Sequence, residues 1–126
     1  MVRLKRSSKE ADRSKSVSAI LEKLRQGSVV VEGMHDVRTL AKLGIPAITY
    51  TSALSCHMPL GRDVYVMMDL DRRGREKAER LVSVLASHGY HTDESAGRRL
   101  LLMLHTVCVE EAYKPAIEAM GIEPKE

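Results

Sequence analysis

The chain has 126 residues, 44% of them hydrophobic, which suits one globular domain with a sizeable core. Phe and Trp are absent, and no apolar run approaches the roughly 18 residues of a membrane span, so we expect no membrane association. The net charge of +3 hides an asymmetry, because residues 1–26 carry eight Lys/Arg and three acidic residues whereas the rest has two more acids than bases.

This charge distribution divides the chain into a basic N-terminal arm and helix (1–26) and a domain with C-terminal helices (27–126). Residues 1–12 are polar and charged, and we expect them to be disordered. The arm either contacts nucleic-acid phosphates or is an ordinary solvated tail. No apolar segment follows the first basic residues as in a secretory signal, and two cysteines are too few for a disulfide framework. We therefore expect a cytoplasmic protein with reduced thiols.

Helical spacing of apolar residues alternates along the chain with short β-branched runs. The predicted elements are a helix from about residue 14 to 26, a strand at 28–31, a helix at 34–43, a strand at 46–50, a loop at 51–62, a strand at 64–68, a helix at 74–88, a short strand at 90–93, and helices at 98–104 and 109–120. Apolar strands that alternate with helices indicate an α/β fold. We predict a parallel sheet of about four strands with helices on both faces.

Carboxylates follow two of the predicted strands. Glu32 comes directly after "SVVV", and Asp69 and Asp71 follow "VYVMM". Ligands of open parallel sheets bind beyond the carboxyl ends of the strands, so these three acids converge if the two strands are neighbours. Like charges held close together repel one another, and a cation relieves the repulsion. Oxygen-only ligands favour a hard ion, and the sequence therefore predicts a Mg²⁺ or Mn²⁺ site.

Simpler explanations exist for each acid taken alone. Asp71 is placed to cap the following helix, and Glu32 is compatible with a surface position beside a turn glycine. Both stretches occur together and in order on an α/β pattern, and that combination favours the metal site.

Four basic residues follow the second acidic stretch within a turn or two. Arg72 and Arg73 are candidates for phosphate contacts. Arg75 and Lys77 are better explained as the solvated start of a helix.

Two longer segments, "VVVEGMHDVRTLAKLG" and "VYVMMDLDRRGREKAERL", resemble the two signature motifs of the Toprim domain. These motifs are a hydrophobic strand ending in Glu-Gly and a hydrophobic strand ending in Asp-x-Asp, the latter followed by a basic turn and a helix. The resemblance covers about residues 28–93. It is closest to small free-standing Toprim proteins, which include a ribosomal RNA maturation nuclease and primase-like proteins.

The resemblance implies a role for each matching residue. Glu32 is expected to be a metal ligand or the catalytic general acid/base, and Asp69 and Asp71 are expected to be Mg²⁺ ligands. Gly33 would let the backbone turn sharply beside the site, and Asp36 would support the metal from behind these ligands.

Two functions follow from this resemblance. The first is Mg²⁺-dependent cleavage or transfer of phosphodiesters in RNA or DNA. The second is a non-catalytic module that binds nucleic acid or protein on a Toprim scaffold. No domain with a tyrosine nucleophile accompanies the motifs, so topoisomerase activity is not implied.

Overall fold

The structure is a computed structural model that describes residues 8–55 and 63–122. Its elements are α1 (Ser8–Arg25), β1 (Ser28–Val31), α2 (Met34–Lys42), β2 (Ala47–Thr49), α3 (Tyr50–Leu54), β3 (Asp63–Val66), α4 (Arg72–Ser87), β4 (His91–Asp93), α5 (Ser95–Met103), a 3₁₀ helix (Val109–Glu111) and α6 (Tyr113–Ala119). The four strands form one sheet in the order β2-β1-β3-β4, and every neighbouring pair is parallel. The predicted α/β fold, with a parallel sheet of four strands, is confirmed.

Helices cover both faces of the sheet because successive strand residues point to opposite sides. Val29 and Val31 of β1 face the larger apolar cluster, to which α1, α2, α5 and α6 contribute. Val30 faces the smaller cluster, where Ala53 of α3 packs with residues of α4. Both faces are therefore buried, and this explains why β1 is a continuous valine run instead of an alternating pattern.

The helix α1 belongs to this core. Its buried residues recur at helical spacing and pack in the larger cluster: Val17, Ile20, Leu21 and Leu24. The helix begins at Ser8, so the expected disorder is wrong for residues 8–12, and residues 1–7 lie outside the described part. Arg13 fixes this early part of α1 by donating a hydrogen bond to the Met103 carbonyl at 2.8 Å.

Two other predicted elements differ from the structure. The predicted loop at 51–62 contains most of α3, because the Thr49 hydroxyl accepts the Ser52 N–H and starts a helix; residues 56–62 lie outside the described part. The predicted helix at 109–120 is divided into the 3₁₀ helix and α6. Pro115 explains the division, since it lacks an N–H for a continuous helix and is tolerated only in the first turn.

No helix within residues 8–55 and 63–122 combines the length and apolar content needed to cross a membrane.

The start of α5 depends on one aspartate, and its removal should be measurable. Asp93 accepts the N–H groups of Ser95 and Ala96 at 2.9 and 3.0 Å and also the Ser95 hydroxyl. Burial raises the pKa of Asp93, but these hydrogen bonds and Lys23 outweigh the burial, so the pKa is lowered overall. We expect Asp93→Ala to reduce the free energy of unfolding by about 1 kcal/mol at pH 7, as measured by urea denaturation.

This loss should depend on pH with a defined sign. A lowered pKa in the folded state contributes stability above the ordinary aspartate value of 3.8, and that contribution disappears as the pH falls through the folded value. The difference between wild type and Asp93→Ala should therefore shrink toward pH 3. Asp12→Ala, at an exposed position of α1, is the matched control and should cost little at either pH. A difference that stays constant with pH would contradict a role for the Asp93 charge.

Candidate functional site

The predicted acids meet at the carboxyl edge of two adjacent strands. β1 and β3 pair directly, with Val30 opposite Val66, and the Met67 N–H donates to the Val30 carbonyl at 2.9 Å. Glu32 therefore leaves the end of β1 beside the turn that carries Asp69. The neighbouring arrangement of these strands, on which the predicted convergence depends, is confirmed.

Several negative charges lie near one another at this edge. Burial raises the pKa of Asp69, the Val109 N–H lowers it, and the charges of Glu32, Asp71 and Glu110 raise it further. The net pKa of Asp69 is above the ordinary value mainly because of burial, and the neighbouring acids are close enough to add to the rise.

Asp36, which belongs to α2, is also affected by the negative charges of the other acids at this edge. Its side chain is buried, with 8% of its surface exposed. Burial raises its pKa, the hydrogen bond from Gly33 lowers it, and the charges of Asp69, Glu32 and Glu110 raise it again. Asp36 is thus near enough to Asp69 and Glu32 for their charges to act on it, and its supporting role at a metal stays a prediction.

Gly33 differs from expectation. Its backbone is extended, with φ −144° and ψ 179°, a conformation that any residue adopts, and open space surrounds the position of a Cβ. The expectation that this glycine permits a sharp turn is therefore wrong. Its backbone N–H is the functional part, because it donates to Asp36 Oδ2 at 3.2 Å.

Asp69 and Asp71 also have structural partners. Asp69 Oδ1 accepts the Val109 N–H at 2.8 Å. Asp71 is the N-cap of α4, and its Oδ1 accepts the Gly74 N–H at 2.7 Å. Each of these hydrogen bonds uses one oxygen and orients the carboxylate, and a carboxylate has a second oxygen for another partner. Helix capping and metal binding by Asp71 are therefore compatible.

Lys77 of α4 contacts Glu32 across the site. Its ammonium forms a short ion pair with Glu32 Oε1, and both side chains are 30% exposed. The expectation that Lys77 is an ordinary solvated residue is wrong. The Lys77 ammonium is therefore the cation that balances the Glu32 carboxylate at the end of β1.

The donor chemistry at this edge fits a hard divalent ion, whereas the present side-chain arrangement does not yet enclose one. Glu32, Asp36, Asp69 and Asp71 offer only oxygen, which Mg²⁺ and Mn²⁺ prefer. In residues 8–55 and 63–122, no three His, Cys, Asp or Glu side chains are grouped closely enough to hold a metal ion as they stand. Binding of one ion by three of these carboxylates would require side-chain movements.

Comparison with known proteins identifies the family. The chain is 32% identical over 104 residues to a UPF0292 protein of Pyrococcus abyssi, across 74% of this chain and 76% of that protein. The chain belongs to the UPF0292 family. A second UPF0292 protein, from Thermococcus gammatolerans, is 32% identical over 101 residues, across 71% of this chain and 74% of its own length. No family model matches the chain.

A solved structure shares the fold of this UPF0292 chain. It is described as a putative protein from Aquifex aeolicus, with a TM-score of 0.63 and 23% sequence identity. The match covers 78% of this chain and 95% of that one. At this identity the similarity concerns the fold alone.

The two arginines predicted to contact phosphates have different surroundings in this UPF0292 chain. The Arg72 side chain is 91% exposed and forms an ion pair with Glu76 at 3.2 Å. Arg73 lines a groove between α3 and α4 together with Lys77. Arg73 therefore shares a groove with a residue that contacts Glu32, whereas Arg72 pairs with Glu76.

A third segment completes the site, and the sequence interpretation missed it. Residues 107–111 cross the acidic edge, where the Val109 N–H donates to Asp69 and the Glu110 charge acts on the buried Asp36 and the partly buried Asp69. Burial raises the pKa of the nearby Cys108 thiol, and Asp69 raises it further. No local sequence motif indicates that this segment belongs to the site, because its position depends on packing between the 3₁₀ helix and α2.

An open cavity of about 250 Å³ continues from Asp69 and Asp71 into the space between α4 and α5. Its walls are apolar at Met68 and Leu102, and Arg75 and Arg98 also line it. The acidic edge is therefore accessible to a ligand from outside.

Proposed function

We propose that this protein catalyses Mg²⁺- or Mn²⁺-dependent cleavage or transfer of phosphodiesters in nucleic acid, as a small cytoplasmic Toprim-like enzyme. One observation carries the proposal. Glu32, Asp69 and Asp71 follow the carboxyl ends of the adjacent parallel strands β1 and β3, and burial together with the charges of neighbouring carboxylates raises the pKa of Asp69. Acidic residues with a raised pKa in an accessible site are typical of a functional site.

The residues take the following roles. Glu32, Asp69 and Asp71 would hold the ion, and Asp36 would add negative charge behind them. The ion, when bound, supplies charge stabilisation at a phosphoryl oxygen. The Glu32 carboxylate then moves a proton to or from a reacting oxygen. The backbone hydrogen bonds to Asp69 and Asp71 keep those carboxylates oriented while a substrate binds.

The test is a cleavage assay on labelled single-stranded DNA and on structured RNA, with Mg²⁺, with Mn²⁺ and with EDTA. We expect metal-dependent products from the wild type. Glu32→Gln should lower the rate by about 10²- to 10⁴-fold, the usual contribution of a general acid or base. Glu118→Gln is the matched control, because this glutamate is exposed on α6, and it should retain wild-type activity. Cleavage that persists in EDTA, or in Glu32→Gln, would contradict the proposal.

A second candidate is a binding module without catalysis, and the ion pair between Lys77 and Glu32 favours it. Glu32 is engaged by an internal cation, and the described carboxylates do not form a closed metal site. Nucleic-acid binding that is unchanged by EDTA and by Asp69→Asn, with no cleavage under any metal, would support the module over the enzyme.

A further inference from the structure

A basic groove lies beside the acidic edge, on the face of the sheet that α3 and α4 cover. It has a volume of about 290 Å³ and is lined by Tyr50, Arg73, Glu76, Lys77 and Arg80. Tyr50 is the first residue of α3, and the other four belong to α4.

The three cations of the groove form one stripe along α4. Arg73, Lys77 and Arg80 are spaced at i, i+4 and i+7, so they lie on the same side of the helix. Within the described part of the chain, neither Arg73 nor Arg80 has an ion-pair partner within 4.0 Å, and Lys77 pairs with Glu32. The acid of the groove, Glu76, is engaged by Arg72. Among the described residues, the stripe therefore presents two guanidinium groups that have no ion-pair partner.

Tyr50 adds an aromatic surface opposite this stripe. Its ring is partly buried against the smaller apolar cluster, which holds it in place. The Lys77 ammonium lies over the ring, 5.8 Å from its centre. A fixed aromatic ring next to a row of cations is the arrangement that binds unpaired bases and their phosphates together.

The groove leads to the acidic edge. Lys77 is shared, since it lines the groove and contacts Glu32 at the end of β1. A nucleic-acid strand whose phosphates contact Arg73 and Arg80 would therefore pass beside Lys77, the residue that contacts the Glu32 carboxylate.

We infer that this groove binds single-stranded nucleic acid, with one base stacked on Tyr50 and the backbone phosphates on Arg73 and Arg80. The inference rests on the proposed function and specifies the form of its substrate. Bases in a duplex are stacked on one another and do not reach a tyrosine ring, and the groove has room for only one or two nucleotides.

The test measures binding in EDTA, so that it is separate from any metal-dependent chemistry. Fluorescence anisotropy would follow labelled oligo(dU) and oligo(U), which differ only at the 2′ position, each against a duplex of the same length. We expect both single strands to bind more tightly than the duplexes, and the comparison of the two oligonucleotides reports whether the 2′-hydroxyl contributes.

Two variants address the stacking and the phosphate contacts. Tyr50→Leu keeps apolar volume but removes the ring, and should weaken binding about tenfold or more, whereas Tyr50→Phe should bind like the wild type. Arg80→Gln should lower the slope of log affinity against log salt by about 0.7, the value for one phosphate contact on a single strand. Lys114→Gln, exposed on α6 on the opposite face, is the matched control with the same charge change and should alter neither affinity nor slope by as much.

The possible outcomes separate this inference from the proposed catalysis. Tight single-strand binding that needs Tyr50 and Arg80 supports the groove even when no cleavage occurs, and in that case only the enzyme proposal fails. Equal binding of duplex and single strand, or wild-type binding by Tyr50→Leu and Arg80→Gln with unchanged thermal melts, would overturn the groove assignment. Cleavage that remains fully active in both variants would do the same.

Discussion

Asp69→Asn is expected to eliminate the thermal response of the protein to Mg²⁺. An ion that binds only the folded state stabilises it by RT ln(1 + [L]/Kd), where [L] is the free ion concentration, so a site with a Kd of about 1 mM contributes about 1.4 kcal/mol at tenfold excess. For a domain of this size, the melting temperature of the wild type should rise by a few degrees. The variant should not respond, because it lacks a charged ligand at the centre of the acidic edge.

The same substitution should not destabilise the protein in the absence of metal. The asparagine side-chain oxygen can still accept the hydrogen bond that Val109 donates to Asp69 at 2.8 Å. The variant also removes a partly buried charge that Glu32, Asp71 and Glu110 repel, so its metal-free melting temperature should equal or exceed that of the wild type.

Asp63→Asn provides the matched control for this experiment. Asp63 is exposed at the opposite end of the same strand, and its substitution changes the net charge equally. This control should keep the Mg²⁺ response. A response in Asp69→Asn as large as in the wild type, or no response of the wild type to Mg²⁺ or Mn²⁺, would contradict the metal site.

Gly74→Ala is expected to cause the largest loss of stability of any change considered. A Cβ at this position would lie 2.1 Å from the carbonyl oxygen of Asp69 and 2.9 Å from its carbonyl carbon. Backbone atoms cannot move aside as the end of a side chain does, so α4 would shift away from the turn that carries the acids. We expect a loss of about 3 kcal/mol in the free energy of unfolding, larger than the gain of about 1 kcal/mol from the better helix propensity of alanine.

Urea denaturation followed by circular dichroism measures this loss. Ser83→Ala, at an exposed position of the same helix, is the control and should change the unfolding free energy by less than about 0.5 kcal/mol. A Gly74→Ala variant as stable as the wild type would contradict the close approach of α4 to the 69–71 turn.

The alternation of helices and strands was predictable because burial controls it. The continuous valines of β1 indicate a strand buried on both faces, and the spaced leucines of α4 indicate a helix buried on one side. The sheet and its flanking helices could therefore be predicted from these patterns. The division near Pro115 was also visible in principle, because proline interrupts a helix regardless of context. The helix α3 was not, since it depends on a single hydroxyl cap at Thr49.

The candidate site was predictable where its residues end strands, and not where it depends on tertiary packing. Glu32, Asp69 and Asp71 could be placed at one edge from the topology of a parallel sheet. The contact from Lys77 joins positions 45 residues apart, and Glu110 enters the site through a 3₁₀ helix that no motif marks. Both depend on which helix packs over which strand, and a local pattern does not contain that information.

The two faces of the sheet also differ in when they can be completed during synthesis. The smaller cluster needs residues no later than Tyr90, so it can assemble from a contiguous stretch of chain. The larger cluster joins α1 to residues as late as Ile117, and Arg13 binds a carbonyl ninety positions away. The apolar side of α1 therefore emerges from the ribosome long before its partners in α5 and α6 are synthesised. The face covered by α3 and α4, which contains the basic groove, can therefore fold earlier during synthesis than the face covered by α1.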